Sequence, residues 1–265
     1  MKLWVFIACM WPLSVVHAYS LKYTSTGGVV RWPSATSTVE LRVDPALADF
    51  LPNGQALQAV YMAADAWRGF AGVPAIQVGE AAPPTYNPDQ RGSGVYLVKP
   101  WTFEANRLAI TVTSYYPSGE LVGVDVLVNG DVDYALLPEG ELDPDMRVKH
   151  DLGAVLTHEF GHVLGLDESE DDPAATMWPY IRSGETHQRT LSLDDEDALL
   201  DLYSAELESS VEDMGCGASV LGNRLGSRAG IIWSSILLVG IAVLRLRRRS
   251  AYQLPQASSP PPIPN

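Results

Sequence analysis

The chain has 265 residues, 32 acidic against 18 basic side chains, a formal charge of −14, 46% hydrophobic residues and two cysteines. All of the acids but only 11 of the basic residues fall within residues 19–215, giving that span a formal charge of −21, which repels a phosphate backbone and excludes nucleic acid as a partner. The same span is long enough for one domain with a real core.

In chain order, an apolar run over residues 3–16 follows Lys2, and Val16-His17-Ala18 supplies the small residues that a signal peptidase reads. Residues 1–18 are therefore expected to be a signal peptide, and residues 19–207 the exported domain. Removing Cys9 with the signal peptide leaves Cys216 alone, so no intramolecular disulfide can form. Residues 29–43 read as strand, with Val39, Leu41 and Val43 alternating before Pro45. Over residues 55–70, Leu57, Val60, Tyr61, Ala64 and Trp67 fall at helical spacing and predict a core-facing stripe, closed by Gly72 and Pro74. A Pro- and Gly-rich loop over 82–94 leads to three strand candidates, 94–98, 108–113 and 121–128, expected to share a sheet.

The acidic stretch 129–145 reads as a loop. Its Asp131, Asp133, Asp143 and Asp145 are oxygen ligands of the kind calcium prefers, though they lack the spacing of an EF-hand loop. A helix is predicted over 148–164, a second acidic loop over 169–172, and a last helix from Ser192. There, Asp195 resembles the partner in a capping box, and Leu199, Leu202 and Tyr203 face inward. Residues 208–228 read as a linker containing Cys216. Residues 229–244 carry no charge and read as a transmembrane segment, and Arg245, Arg247, Arg248 and Arg249 set the Pro-rich tail 245–265 on the cytoplasmic side.

Residues 158–168, HEFGHVLGLDE, carry the chemistry. On a helix, His158 and His162 project from one face and can clamp one metal ion. Glu159 then stands beside the metal, where a carboxylate takes a proton from an activated water. Gly165 permits a left-handed helix end that swings a third ligand toward the ion. Glu168 is the preferred third ligand and Asp167 its rival; two histidines with one glutamate form an ordinary catalytic zinc set.

These residues resemble the matrixin branch of the metzincin metallopeptidases, whose extended motif has histidine where this chain has Glu168. The resemblance also rests on Trp67, on Val124-Asp125-Val126, on Met177 with Pro179, and on Leu193-Asp194-Asp195-Glu196-Asp197. It implies an α+β metzincin-like catalytic domain with a mixed twisted sheet, a central zinc-binding helix, a Met-turn under the metal and a C-terminal helix. The strand around Val124-Asp125-Val126 is expected to border the substrate cleft and align an extended peptide, and Pro179 to help wall the specificity pocket. Three departures stand out. No histidines for a second, structural zinc precede the zinc helix, no cysteine is available to silence the catalytic one, and Tyr180 follows Pro179 directly. Gly215-Cys216-Gly217, the apolar span and the arginines resemble myxobacterial sorting tails, which implies anchoring at the cell surface or release after processing near Cys216.

The expected function is that of an exported, monomeric zinc endopeptidase with Glu159 as general base, His158, His162 and Glu168 as metal ligands, and peptides or proteins as substrates. The competing expectation is a catalytically silent module of the same fold that binds peptides or cell-wall components.

Overall fold

Alternation at Val39, Leu41 and Val43 produces strand β1 (Thr38–Val43), which buries these three side chains and exposes Thr38 and Glu40. The computed structural model describes residues 18–79, 81, 86–89 and 92–213, the last ten as backbone alone. Upstream of β1, residues 29–37 make isolated bridges rather than a strand. Strands β2 (Ala75–Gly79), β3 (Ser93–Val98), β4 (Ala109–Tyr115) and β5 (Leu121–Asn129) join β1 in one mixed sheet of order β2-β1-β3-β5-β4. All neighbours pair in parallel except β4 with β5. Strand β2 was not foreseen: Ile76 and Val78 are its only large apolar residues, too short a pattern to announce a strand that pairing with β1 then fixes.

The described residues form five α-helices, in chain order α1 (Pro45–Ala48), α2 (Gln55–Ala66), α3 (Pro144–Arg147), α4 (Leu152–Val163) and α5 (Leu193–Asp213). A ladder of two short strands, β6 (Tyr134–Ala135) and β7 (His150–Asp151), leads into α4. The expected loop at 129–145 thus contains β6 and the start of α3. The helix predicted from residue 148 begins only at Leu152, because His150 and Asp151 are spent on the ladder and Asp151 caps the helix. Helix α2 stops at Ala66, and its buried face is mostly alanine: Ala56, Ala59, Ala63 and Ala64 with Val60. Tyr61, expected in the stripe, is 54% exposed, since one step beyond Val60 turns it about 100° around the helix. Small side chains let α2 lie close against α4, and Trp67 fills the space beyond, its indole donating to the Thr157 carbonyl at 2.8 Å.

The main core lies between α2, α4 and α5 and one face of the sheet, where Val124, Val126 and Val128 of β5 point. On the opposite face, Leu127 packs with Tyr96 in a smaller cluster. Asp125 shares this second face by the two-residue period of a strand. Its carboxyl is half-buried and burial pushes its pKa up to about 6, against the opposing effects of the Gly94 backbone and Arg42. Val124-Asp125-Val126 therefore forms the inside of the sheet and not a cleft wall.

Every residue of α4 except His162 is buried, as befits a helix enclosed on all sides. Its start is held by Asp151, which is fully buried: one carboxylate oxygen caps the Ala154 amide at 2.7 Å, and the other accepts from the Leu137 amide at 3.0 Å. Arg189 grips the same carboxylate with two nitrogens. At the far end, Gly165 takes φ +97° and ends the helix in a Schellman turn, with Leu166 donating to the Gly161 carbonyl and Gly165 to that of His162. A Cβ at Gly165 would also sit 2.5 Å from the Val30 carbonyl oxygen. The orphan carbonyls of Val163 and Leu164 accept from the Trp32 indole and the Tyr203 hydroxyl.

The α+β architecture with a mixed sheet and a central helix carrying the histidines agrees with expectation. Helix α5 starts as foreseen, Ser192 and Asp195 bonding reciprocally, and runs to Asp213, past residue 207. Residues 1–17, the linker beyond 213, the apolar segment 229–244 and the tail 245–265 lie outside the described residues. Among the described residues no helix is long and apolar enough to cross a membrane.

Removing a partner from a buried ion pair leaves a charge stranded. Asp151→Ala is therefore expected to lower the unfolding free energy by roughly 3–5 kcal/mol in urea titrations. Asp133→Ala, which breaks the exposed pair with Lys149, is expected to cost under about 0.5 kcal/mol.

Candidate metal centre and cleft

The helical four-residue spacing places the imidazoles of His158 and His162 with ring centroids 4.9 Å apart. The turn at Gly165 then brings Glu168 to both: its carboxylate oxygens lie 3.5 Å from His158 Nε2 and 3.7 Å from His162 Nε2. Tetrahedral ligands about 2.1 Å from zinc are about 3.4 Å from one another, so these separations suit one ion. Among the described residues, His158, His162 and Glu168 are the one group of three or more donors close enough to share a metal.

Each imidazole is committed through its other nitrogen. His158 Nδ1 meets the Thr176 carbonyl at 2.8 Å, and His162 Nδ1 meets the Leu166 carbonyl at 2.9 Å. A carbonyl can only accept, so both Nδ1 atoms carry a proton and both Nε2 atoms face Glu168, the arrangement that orients histidines for metal. Glu168 Oε2 is buried and has no hydrogen-bond partner. The electrostatics point the same way. Burial disfavours a charged His158, yet Glu168 and Glu159 outweigh it and push its pKa up to about 9. Burial likewise opposes ionisation of Glu168, but the two imidazoles hold its carboxyl well below the usual carboxylate range. Two imidazoles and a carboxylate thus draw positive charge to their midpoint, and zinc fits this donor set.

Glu159 is buried beside the triad, its Oε2 accepting from the Thr111 hydroxyl of β4 at 2.6 Å. Met177 is buried against the zinc helix at Gly161, where a Cβ would come 2.2 Å from its sulfur, so this helical glycine is required by packing. The Met177 turn is held from α5: Asp195, 1% exposed, accepts from the Thr176 and Met177 amides at 2.8 and 3.0 Å. Gln188 adds a bond to the Trp178 carbonyl at 3.0 Å. Neighbouring Asp194 accepts from the amides of Ala18 and Tyr19 and from the Ser169 hydroxyl. The aspartates, foreseen only as a helix start, therefore tie α5 to the chain entry and to the loop beneath His158.

A cleft of about 1110 Å³ opens over these groups, with β4 on one side and Pro179, Tyr180 and Ile181 on the other. Among the described residues strand β4 pairs only with β5 and so has a free edge, whereas β5 is enclosed between β3 and β4. The expectation that β5 aligns a peptide is corrected on this ground: the backbone groups available to an added strand belong to β4.

Asp167 lines the cleft but stands outside the metal triad, one of its oxygens accepting from the Glu168 amide at 3.1 Å. The suggested calcium ligands are dispersed in other tasks. Asp131 accepts from the Trp101 amide, Asp133 pairs with Lys149, Asp143 caps α3, and Asp145 lies in that helix's first turn.

The family model described as Matrixin matches residues 84–204, a stretch that spans β3 to β5, the zinc helix, the Met177 turn and the start of α5. The match supports a matrixin-like metallopeptidase domain, a zinc-dependent family.

Zinc measured by elemental analysis provides the check on the ligand set. Glu168→Ala is expected to lose the metal after dialysis, Glu168→His to retain it, and Asp167→Ala to hold one zinc per chain.

Proposed function

We propose that the chain is an exported zinc endopeptidase in which His158, His162 and Glu168 hold the metal and Glu159 is the general base. The single observation that carries this reading is the placement of Glu159 against the triad, with one carboxylate oxygen fixed by Thr111. When bound, zinc supplies a Lewis acid that polarises the scissile carbonyl and acidifies a water.

The chain's own groups do the rest. The free edge of β4 binds an extended peptide through backbone hydrogen bonds and lays its carbonyl across the floor of the cleft. Thr111 orients Glu159 Oε2, leaving Oε1 to take the proton from the attacking water and to pass it to the leaving amine. Pro179, Tyr180 and Ile181 receive the side chain that follows the cut bond. A carboxylate ligand offsets more of the metal's charge than a third imidazole would, so turnover is expected to be slower than with three histidines. A silent module has no use for a base held in this position, which favours the enzyme over the binding protein. Export rests on residues 1–18, and tethering on Cys216, the segment 229–244 and the arginines that follow, all read from sequence.

Glu159→Gln preserves the hydrogen bond from Thr111 and removes the base. It is expected to keep one zinc per chain while lowering casein hydrolysis by about 10²-fold or more. Undiminished hydrolysis by zinc-loaded Glu159→Gln protein would overturn the mechanism.

A further inference from the structure

We propose that Lys22 is a specificity-determining residue that selects an acidic side chain on the substrate, two positions N-terminal to the residue lying beside Thr111. This builds on the peptidase reading above and names the class of peptide that its cleft takes.

Three Lys or Arg side chains line the cleft among the described residues: Lys22, Arg107 and Arg182. Arg107 is paired with Glu104 at 3.3 Å, and Arg182 with Glu185 at 3.7 Å. Lys22 alone has no carboxylate within reach among the described residues. Its ammonium donates to the Thr113 hydroxyl of β4 at 3.0 Å. An ammonium has three donors, and Thr113 uses one, so two remain for a ligand. The backbone of Lys22 is fixed as well: its carbonyl accepts from the Val30 amide at 2.8 Å, and its neighbours Leu21 and Tyr23 bridge to Leu166 and Val29. The charge is thus mounted on the segment that also braces the turn after the zinc helix.

Its distance from the chemistry follows from strand geometry. Thr111 and Thr113 lie on the same face of β4, the first bonded to Glu159 and the second to Lys22, about 7 Å apart along the strand. A peptide added antiparallel to β4 runs from Thr113 toward Thr111. The residue at the level of Lys22 is therefore two positions before the one at the catalytic level. In a domain of formal charge −21, an unneutralised cation at this point makes the Thr113 end of the cleft a local exception that attracts a carboxylate.

The test uses the zinc-loaded full chain and peptides that differ only in Glu, Gln or Lys at that position. kcat/KM is measured with the wild type, and fluorescence anisotropy reports binding of the same labelled peptides to Glu159→Gln protein. Glu is expected to be favoured over Gln by about fivefold in both readouts at low salt, with the margin shrinking at high salt. Lys22→Met brings the ratio close to one, and Lys22→Glu turns the preference toward Lys. Equal handling of Glu and Gln by the wild type, or an undiminished preference in Lys22→Met, overturns the assignment. Cleavage without discrimination sinks the role of Lys22 alone. Discrimination in binding without any cleavage sinks the peptidase reading and upholds the subsite.

Discussion

Two backbone carbonyls, those of Thr176 and Leu166, claim the Nδ1 atoms of His158 and His162 and so decide that both imidazoles present Nε2 to the same point. Much of the surrounding structure serves to hold these two oxygens. Thr176 is suspended from Asp195 at the start of α5, and Leu166 is placed by the left-handed turn at Gly165 and by its bridge to Leu21. The candidate metal centre therefore draws on segments as distant in sequence as Leu21 and Asp195, because a tautomer is fixed by whichever carbonyl reaches the ring. Helical spacing alone brings two histidines together, and it leaves open which nitrogen of each faces the ion.

The sheet is coupled to the same centre through β4. Thr111 belongs by its backbone to the edge strand and by its hydroxyl to Glu159, so the strand proposed to receive a peptide also orients the carboxylate proposed as base. An exposed strand edge is ordinarily a liability for association. Here the free edge lines the cleft that holds Glu159 and the triad, where an added strand would pass beside them.

What could be read from the chain was what has a short period or a fixed offset. His158, His162 and Glu168 lie within one helical turn and its cap, and Gly165 marks the cap, so local geometry sufficed. The strands at 94–98, 108–113 and 121–128 were legible because their apolar runs are bounded by turns. The rest depends on distant pairing. Nothing in Ala-Ile-Gln-Val-Gly tells that β1 will recruit it, and nothing around Asp125 tells that β5 will be enclosed by β3 and β4. Asp151 carries no signal within the helix predicted over 148–164 until Arg189, 38 residues on, is brought against it. Asp195 was legible as a cap to its own helix, and its hold on Thr176 and Met177 was not, since one carboxylate performs both tasks. Lys22 and Thr111 carry no motif at all; only the fold sets them along one cleft.

The bonds from Ala18 and Tyr19 to Asp194 bear on how the protein begins its working life. If export removes residues 1–18, the amide of Tyr19 becomes a free amine 3.2 Å from a carboxylate oxygen, and an amide–carboxylate hydrogen bond is replaced by an ion pair. The chain start would then be a structural joint, connected through Asp194 and Ser169 to the loop that carries Met177. An affinity tag fused ahead of Tyr19 would withhold that charge, whereas one placed beyond α5 would leave the joint as export makes it.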